Sequence, residues 1–176
     1  EQLRAQTGNA ALRCVHRLDR ETSGCLLVAR DRDAFDAAVA VFKTRRVVKI
    51  YNALVAGRMP NQTTTVDTPL DGQVARTHVR RLMANDDASL LHVRIETGRT
   101  HQIRLHLASI RHPVIGDRQH GVKASRDPRM LRVPRLMLHA AELEMDDPLG
   151  RETLRAHSPM PADFRRSLQI FGLGKP

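Results

Sequence analysis

The stretch VVKIYNALVAG, Val47 to Gly57, carries the strand pattern from which the fold can be derived. Its side chains alternate between two faces at a period of two residues, with Lys49 and Tyr51 on one face and Ile50 on the other. Branched and aromatic residues at this period are typical of a β-strand, and glycine is a common point of termination. We therefore predict a strand that ends at Gly57.

Patterns on both sides of this strand predict more strands and few helices. The predicted elements are a short buried strand at GCLLVAR (24–30), a helix at DRDAFDAAVAVFKTRR (31–46), a loop or weak edge strand at 58–73, a strand at LLHVRIETG (90–98), a helix at THQIRLHLASIRHP (100–113) and a hairpin at 135–157. Asp31 or Asp33 is the expected N-cap of the first helix, and Thr100 that of the second. Strands that pair over long distances predict an α+β fold with a mixed, mainly antiparallel sheet and packed helices, in a single domain over residues 1–176.

The composition favours a polyanionic partner. Lys and Arg number 29 against 19 Asp and Glu, which gives a formal net charge of +10. Guanidinium groups match phosphate oxygens in pairs, so nucleic acid is the favoured partner, although an Arg-rich composition is also compatible with solubility alone. Aromatic residues are 3% of the chain and Trp is absent, which argues against a base-stacking platform. RNA binding would therefore rest on phosphates and shape.

The same composition indicates a cytoplasmic protein without a membrane segment. No window approaches the roughly 18 apolar residues that a spanning helix requires, and residues 1–15 lack the layout of a signal peptide. The two cysteines, Cys14 and Cys25, match no metal spacing and are expected to be small buried side chains in a reducing compartment. A monomer is the default expectation.

The stretch HRLDRETSG, residues 16–24, places one carboxylate among several cations. Asp19 is flanked by Arg17 and Arg20, and positive charge nearby favours the ionised form of a carboxylate. An ionised carboxylate can serve as a nucleophile or as a base. Alternatively, Asp19 caps a turn, because Asp and Ser-Gly are common turn residues. On this stretch alone, the turn is the simpler interpretation.

A second stretch, TGRTHQIRLHLA (97–108), concentrates polar side chains at a predicted helix start. They are Arg99, His101, Gln102 and Arg104. Unpaired backbone N–H groups and the helix dipole favour an anion at this position, so the helix start could bind a phosphate or orient a carboxylate. Tyr51, the only tyrosine, is predicted to share a strand face with Lys49, where a solitary tyrosine is more often core than catalytic.

Four motifs occur in order along the chain. HRLDRETSG, KIYNALVAG, TGRTHQIRLHLASIRHPVIGD and LMLHAAELEMDDPLG resemble the successive motifs of the pseudouridine synthases of the RluA type. The resemblance runs from about Val15 to MPADFRRSL (160–168). It implies the pseudouridine synthase catalytic fold and the isomerisation of specific uridines in rRNA or tRNA to pseudouridine. In that reaction the bond from the base nitrogen to ribose C1′ breaks, the uracil turns, and its C5 rejoins the sugar, so no cofactor is expected.

The resemblance also implies roles for individual residues. Asp19 matches the catalytic aspartate, and Arg104 matches the basic residue that forms an ion pair with it. Tyr51 matches the tyrosine that stacks on the target uracil and helps to move the C5 proton. Arg17 matches an arginine that fills the space left when a uridine is flipped out of the RNA. The family normally carries an earlier strand and a Lys-Pro-Gly-type loop, so this chain is expected to lack its N-terminal strands, and His120 stands where a tyrosine is usual.

Other interpretations remain open. The nine histidines form no HExxH or Cys/His cluster, so no metal is expected, and His139 is interpreted as a hydrogen-bonded strand residue. A catalytically inactive RNA-binding protein of the same fold is the alternative function. A glycoside or nucleoside hydrolase would need a second carboxylate, for which Glu21 is too close in sequence to Asp19. The segment Arg118 to Arg135, with six cations, is either an RNA-facing loop or an ordinary solvated connection.

Overall fold

Among the residues that the structure describes, the strand predicted from VVKIYNALVAG lies in the middle of a seven-stranded sheet. The computed structural model describes residues 2–44, 46–121, 127–148, 150 and 152–174. The elements within these ranges are α1 (Gln2–Thr7), β1 (Arg13–Cys14), β2 (Ser23–Gly24), β3 (Val28–Ala29), α2 (Arg32–Lys43), β4 (Val48–Ala56), β5 (Thr63–Val66), β6 (Thr77–Ala84), β7 (Ala88–Ile95), α3 (Gln102–Ser109), β8 (Leu138–Met145), β9 (Leu154–His157) and α4 (Ala162–Ile170).

The sheet is mixed and mainly antiparallel, as predicted. Its strand order is β2-β8-β4-β7-β6-β5, and β9 pairs with β8 as well. β2 runs parallel to β8, whereas the other pairs are antiparallel. β1 and β3 form a separate two-stranded sheet. Helices accompany both sheets, so the α+β class is confirmed.

Most local predictions agree with the structure. β4 ends before Gly57, which adopts a positive φ of 76° that favours glycine. α2 begins after Asp31, whose side chain accepts a hydrogen bond from the backbone N–H of Ala34. Segment 58–73 contains the edge strand β5, and β8 and β9 form the predicted hairpin.

Three predictions are wrong. GCLLVAR is not one buried strand: β2 and β3 are two-residue strands of different sheets, and Leu26 between them is 38% exposed. Cys14 is exposed, because it lies on β1, a two-residue strand in which both residues are exposed. α3 begins at Gln102 after His101 rather than after Thr100, because the side chain of Gln102 itself accepts the hydrogen bond from the backbone N–H of Arg99.

The main core joins the sheet to α3 and α4. Leu91, Val93 and Ile95 of β7 point into it, as predicted from their alternation, and Phe164 of α4 is fully buried. Two buried polar side chains tie α3 to Thr77 of β6. Gln102 donates to the Thr77 hydroxyl at 3.1 Å, and His106 Nδ1 lies 2.9 Å from the same oxygen. These contacts fix the helix that carries Arg104 over the face of the sheet.

The basic segment from Arg118 to Arg135 is described only in part, since Lys123 and Arg126 lie outside the described residues. Pro128–Arg132 forms a 3-10 helix, in which Arg129 forms ion pairs with Asp127 and Asp87. Its RNA-facing role stays a prediction. Within the described ranges, the helices are all too short or too polar to cross a lipid bilayer.

Candidate active site

Asp19 lies in a turn that several hydrogen bonds stabilise. The carbonyl of Asp19 accepts a hydrogen bond from the N–H of Thr22 at 2.9 Å. The Glu21 carboxylate accepts one from the N–H of Leu136 at 3.3 Å, and Arg135 donates to the Glu21 carbonyl at 3.1 Å. The turn considered from the sequence is therefore present, and it leaves the Asp19 side chain 18% exposed.

The guanidinium of Arg104 bridges two carboxylates. Its Nη1 donates to Asp19 Oδ2 at 3.2 Å, while Nε and Nη2 donate to the two oxygens of Asp117 at 2.7 and 2.9 Å. Nη2 also lies 3.3 Å from the side-chain oxygen of Gln119. Bidentate pairing fixes the plane of a guanidinium. Asp117 therefore orients Arg104, and Arg104 in turn holds Asp19.

Asp117 is ionised in this arrangement. Burial opposes its charge, since the side chain is only 1% exposed, but hydrogen bonds outweigh that effect. Donors are Arg104 and the backbone N–H groups of His120 and Gln119, and together they place the pKa of Asp117 below its ordinary value. The charge of Asp117 thus faces the guanidinium of Arg104, whose side chain is only 8% exposed.

Tyr51 and Asp19 line one open pocket. Arg17 and His101 contribute to its wall, together with the backbone around Gly98. Burial, reinforced by the negative charge of Asp19, raises the pKa of Tyr51 to about 12. The phenol is therefore neutral at physiological pH. An apolar ring beside a carboxylate makes a site that can take a flat, uncharged base next to a sugar.

The four residues predicted for the site come together from three parts of the chain. Arg17 and Asp19 follow β1, Tyr51 is on β4, and Arg104 is on α3. The first three line the pocket, and Arg104 reaches it through the ion pair with Asp19. Arg17 is exposed, as an arginine that contacts a partner must be.

A second groove adjoins the pocket at Arg17 and Tyr51. Burial lowers the pKa of Lys49 there, and burial also lowers the pKa of His16. The His16 ring stacks on Phe42, with 5.3 Å between ring centroids, and its Nε2 accepts a hydrogen bond from the N–H of Leu27 at 3.0 Å. The groove therefore places the partly buried Lys49 beside the pocket that contains Asp19.

The sequence did not predict the roles of several residues of the site. Asp117 pairs with Arg104, and His120 is hydrogen-bonded to His101 with 2.9 Å between Nε2 and Nδ1. The buried hydroxyl of Thr22 has no hydrogen-bond partner among the described residues, although Thr22 lines the pocket. Asp117 ends the third motif, VIGD, which was its only signal. The His pair and the Thr22 hydroxyl depend on three-dimensional proximity, which spacing does not encode.

Histidine and carboxylate groups elsewhere have structural partners. His139 is buried and lies 2.9 Å from both the Ser23 hydroxyl and the Ser158 carbonyl, as its interpretation required. Glu21 is engaged by the backbone of Leu136. Over the described residues, no three His, Cys, Asp or Glu side chains converge as ligands of a metal ion would.

Comparison with known proteins identifies the family. Residues 1–109 match the family model described as RNA pseudouridylate synthase. The chain belongs to the RNA pseudouridylate synthase family. Among curated members, it is 42% identical over 165 residues to an uncharacterized RNA pseudouridine synthase of Chloroflexus aurantiacus, covering 86% of this chain and 51% of that protein. It is 41% identical over 174 residues to the ribosomal large subunit pseudouridine synthase D of Nitrosomonas europaea, covering 88% and 50%.

Solved structures agree with this family membership. Human RNA pseudouridylate synthase domain containing 1 superposes with a TM-score of 0.76 at 31% identity, over 91% of this chain and 73% of that chain. Human RNA pseudouridylate synthase domain containing 4 shares the fold, with a TM-score of 0.80 at 24% identity, over 98% of this chain and 81% of that chain. The chain spans about half the length of the curated family members cited above.

Proposed function

We propose that this chain isomerises uridine in RNA to pseudouridine, with Asp19 as the catalytic carboxylate. The observation that carries the proposal is the placement of Asp19. Asp19 is partly exposed in an open pocket beside Tyr51, and the buried guanidinium of Arg104 donates a hydrogen bond to its carboxylate. Membership of the RNA pseudouridylate synthase family supports the same reaction.

Each residue then has a defined task. Asp19 acts at the ribose, either by attack on C1′ or by removal of a ribose proton, and the glycosidic bond to N1 breaks. Tyr51 provides the flat wall on which the uracil stacks while it turns, and its neutral phenol adds no charge that would repel the departing base. Arg104 keeps the carboxylate in position. No external reagent enters the overall reaction, because the product is an isomer of the substrate.

Access to the glycosidic bond in a folded RNA requires that the nucleotide leave its stack, which costs a few kcal/mol. Arg17, exposed at the pocket, is suited to fill the vacated space. The net charge of +10 supplies attraction for the phosphate backbone. Ribosomal RNA of the large subunit is the first substrate class to test, because the Nitrosomonas europaea relative is named for it. Transfer RNA is the second.

Tritium release tests the proposal, because isomerisation at C5 must expel the hydrogen of that carbon. RNA transcripts labelled with tritium at uridine C5 are incubated with the full chain, with Asp19→Asn, and with Asp36→Asn. Asp36 is a matched control, since it is an exposed carboxylate on α2 that pairs only with Arg32 among the described residues. We expect release by the wild type and by Asp36→Asn, and none by Asp19→Asn. Release by Asp19→Asn at the wild-type rate would refute the role of Asp19.

Binding without catalysis is the alternative that remains from the sequence. It predicts that the folded wild type binds RNA with strong salt dependence and yet releases no tritium from either substrate class. A hydrolase is separated by its product, since free uracil would accumulate. The second carboxylate that such an enzyme needs has no candidate in Glu21, which is bound to the backbone of Leu136.

A further inference from the structure

We infer that His101 is a second catalytic residue of this site, which accepts the C5 proton of the uracil at Nε2 while His120 holds its ring in place. The inference rests on the proposed function. It assigns the second half of the reaction, after the new carbon–carbon bond has formed.

The position of His101 is suited to this task. His101 lines the pocket that contains Asp19 and Tyr51, and it also lines the adjoining pocket beside Arg104. Nδ1 of His101 is hydrogen-bonded to Nε2 of His120 at 2.9 Å, and the two rings meet edge to face with centroids 5.0 Å apart. Among the described residues, Nε2 of His101 has no hydrogen-bond partner. The nitrogen left over by the pair is therefore available to a substrate.

The backbone at His101 supports a functional role. His101 has a φ of 53°, in the left-handed region that residues other than glycine rarely adopt. It occupies the N-cap position of α3, but its side chain makes no capping hydrogen bond. Gln102 stabilises this helix start instead, through Thr97 and Arg99. Strained backbone of this kind tends to occur at functional sites, where it aims a side chain.

The resemblance to the family implied Tyr51 for the movement of the C5 proton, but Tyr51 and the other groups of the pocket are poorly suited to accept it. Tyr51, whose pKa is raised to about 12 by burial and by Asp19, is ionised in only about 10⁻⁵ of the molecules at pH 7. Asp19 is assigned to the ribose and is bound to Arg104. Arg17 is a cation with no lone pair to offer. A neutral imidazole is the usual proton acceptor near neutral pH.

The proton balance closes within the pair. Once C5 has bonded to C1′, it still carries its hydrogen, and N1 is doubly bonded to C6. Cleavage of the C5–H bond sends the proton to Nε2 and returns the electron pair to the ring, which restores the C5=C6 bond and leaves the negative charge on N1. The imidazolium then returns a proton to N1. The net change is the transfer of one proton from C5 to N1, so no reagent is consumed.

His120 is suited to stabilise the imidazolium. A protonated His101 donates from Nδ1, so Nε2 of His120 must carry a lone pair, which requires a neutral ring. Burial, with a further contribution from the charge of Arg104, lowers the pKa of His120 and keeps it neutral. The backbone N–H of His120 is bound to Asp117 at 2.9 Å, which fixes the base of the side chain. His120 is thus a positioning residue.

Isotope-sensitive kinetics with His101→Ala and His101→Gln test the assignment. Three quantities are measured: single-turnover release of tritium from C5, the C5-deuterium isotope effect and the affinity for RNA. His92→Ala is the control, because His92 lies on the face of β7 opposite the core residue Val93 and lines a different pocket. We expect both His101 variants to bind RNA normally, to release tritium roughly 10²–10⁴-fold more slowly and to show a larger isotope effect than the wild type. Added imidazole should restore part of the rate of His101→Ala.

Two results would overturn the assignment. One is release by both His101 variants at the rate of His92→Ala. The other is slow release without a larger isotope effect and without rescue by imidazole, which would indicate a structural role.

A second pair of variants tests His120. His120→Tyr should keep most of the rate of tritium release because its hydroxyl can accept the hydrogen bond from His101, and His120→Phe should not. Equal rates for the two variants would exclude the positioning role. Absence of release by the wild type would overturn the proposed function itself, so the two failures are distinguishable.

Discussion

Replacement of Arg104 by Leu should destabilise the protein strongly, because it strands a buried charge. The Asp117 side chain is 1% exposed and loses both of its contacts to the guanidinium, at 2.7 and 2.9 Å. Breaking a buried ion pair from one side costs about 3–5 kcal/mol. The lower end applies here, because the backbone N–H groups of Gln119 and His120 still donate to Asp117. At about 3 kcal/mol and about 2–4 °C per kcal/mol for a chain of this size, the melting temperature should fall by about 6–12 °C.

The same variant should reverse the pH dependence of this part of the free energy of unfolding. In the wild type the pKa of Asp117 is below its ordinary value, so its contribution is present above that value and is lost as the pH falls through the native pKa. Without Arg104, burial dominates and the native pKa of Asp117 rises above the unfolded one. The carboxyl then contributes most in its protonated form, and the contribution is lost as the pH rises.

Urea unfolding at about pH 5 and pH 7 measures both effects. We expect Arg104→Leu to lose more stability relative to the wild type at the higher pH. The double variant Arg104→Leu/Asp117→Leu is the control, since replacement of both partners by apolar side chains removes the stranded charge and should recover most of the loss. A single variant as stable as the wild type at neutral pH, or a double variant no more stable than the single one, would show that Arg104 does not offset the buried charge of Asp117.

Three further predictions concern single residues. Tyr51 is the only tyrosine, and burial raises its pKa to about 12, so an absorbance titration should show almost no tyrosinate at about pH 10. The contribution of Tyr51 to the free energy of unfolding should be lost only as the pH rises toward 12, whereas an ordinary titration midpoint would contradict the burial. Thr22→Val should leave the free energy of unfolding in urea unchanged or raise it by up to about 1–3 kcal/mol, because the buried hydroxyl has no partner among the described residues; a clear loss of stability would reveal one. Gly24→Ala should lower the melting temperature more than Gly8→Ala, since a Cβ at Gly24 would lie 2.1 Å from the carbonyl oxygen of Ala140, whereas at Gly8 it meets nothing within 4 Å; equal effects would disprove that close approach.

Local sequence patterns predicted the elements that are determined by residues a few positions apart. β4 alternates over nine residues without interruption, and α2 has its N-cap at Asp31 immediately before its apolar face. GCLLVAR failed because apolar content does not reveal that the chain leaves one sheet after Gly24 and joins another at Val28. β6, α1 and α4 were not predicted. In β6, THVRRLMA mixes apolar and charged residues too closely to mark a period.

The site was accessible from the sequence only through the resemblance to a family. Asp19 and Arg104 are 85 positions apart, and charge patterning alone left Asp19 as a turn residue. The third member, Asp117, and the pairing of His101 with His120 follow from how α3 and the segment after it pack together. Such contacts depend on tertiary packing, which residue spacing does not determine.

Isomerisation by Asp19 is tested most directly by a nucleoside analysis of an unmodified transcript of large-subunit ribosomal RNA after incubation with the full chain. Pseudouridine and free uracil are quantified together, for the wild type and for Asp19→Asn. We expect pseudouridine without free uracil from the wild type, and neither product from Asp19→Asn. Pseudouridine from Asp19→Asn at the wild-type level, or free uracil in place of pseudouridine, would contradict this expectation.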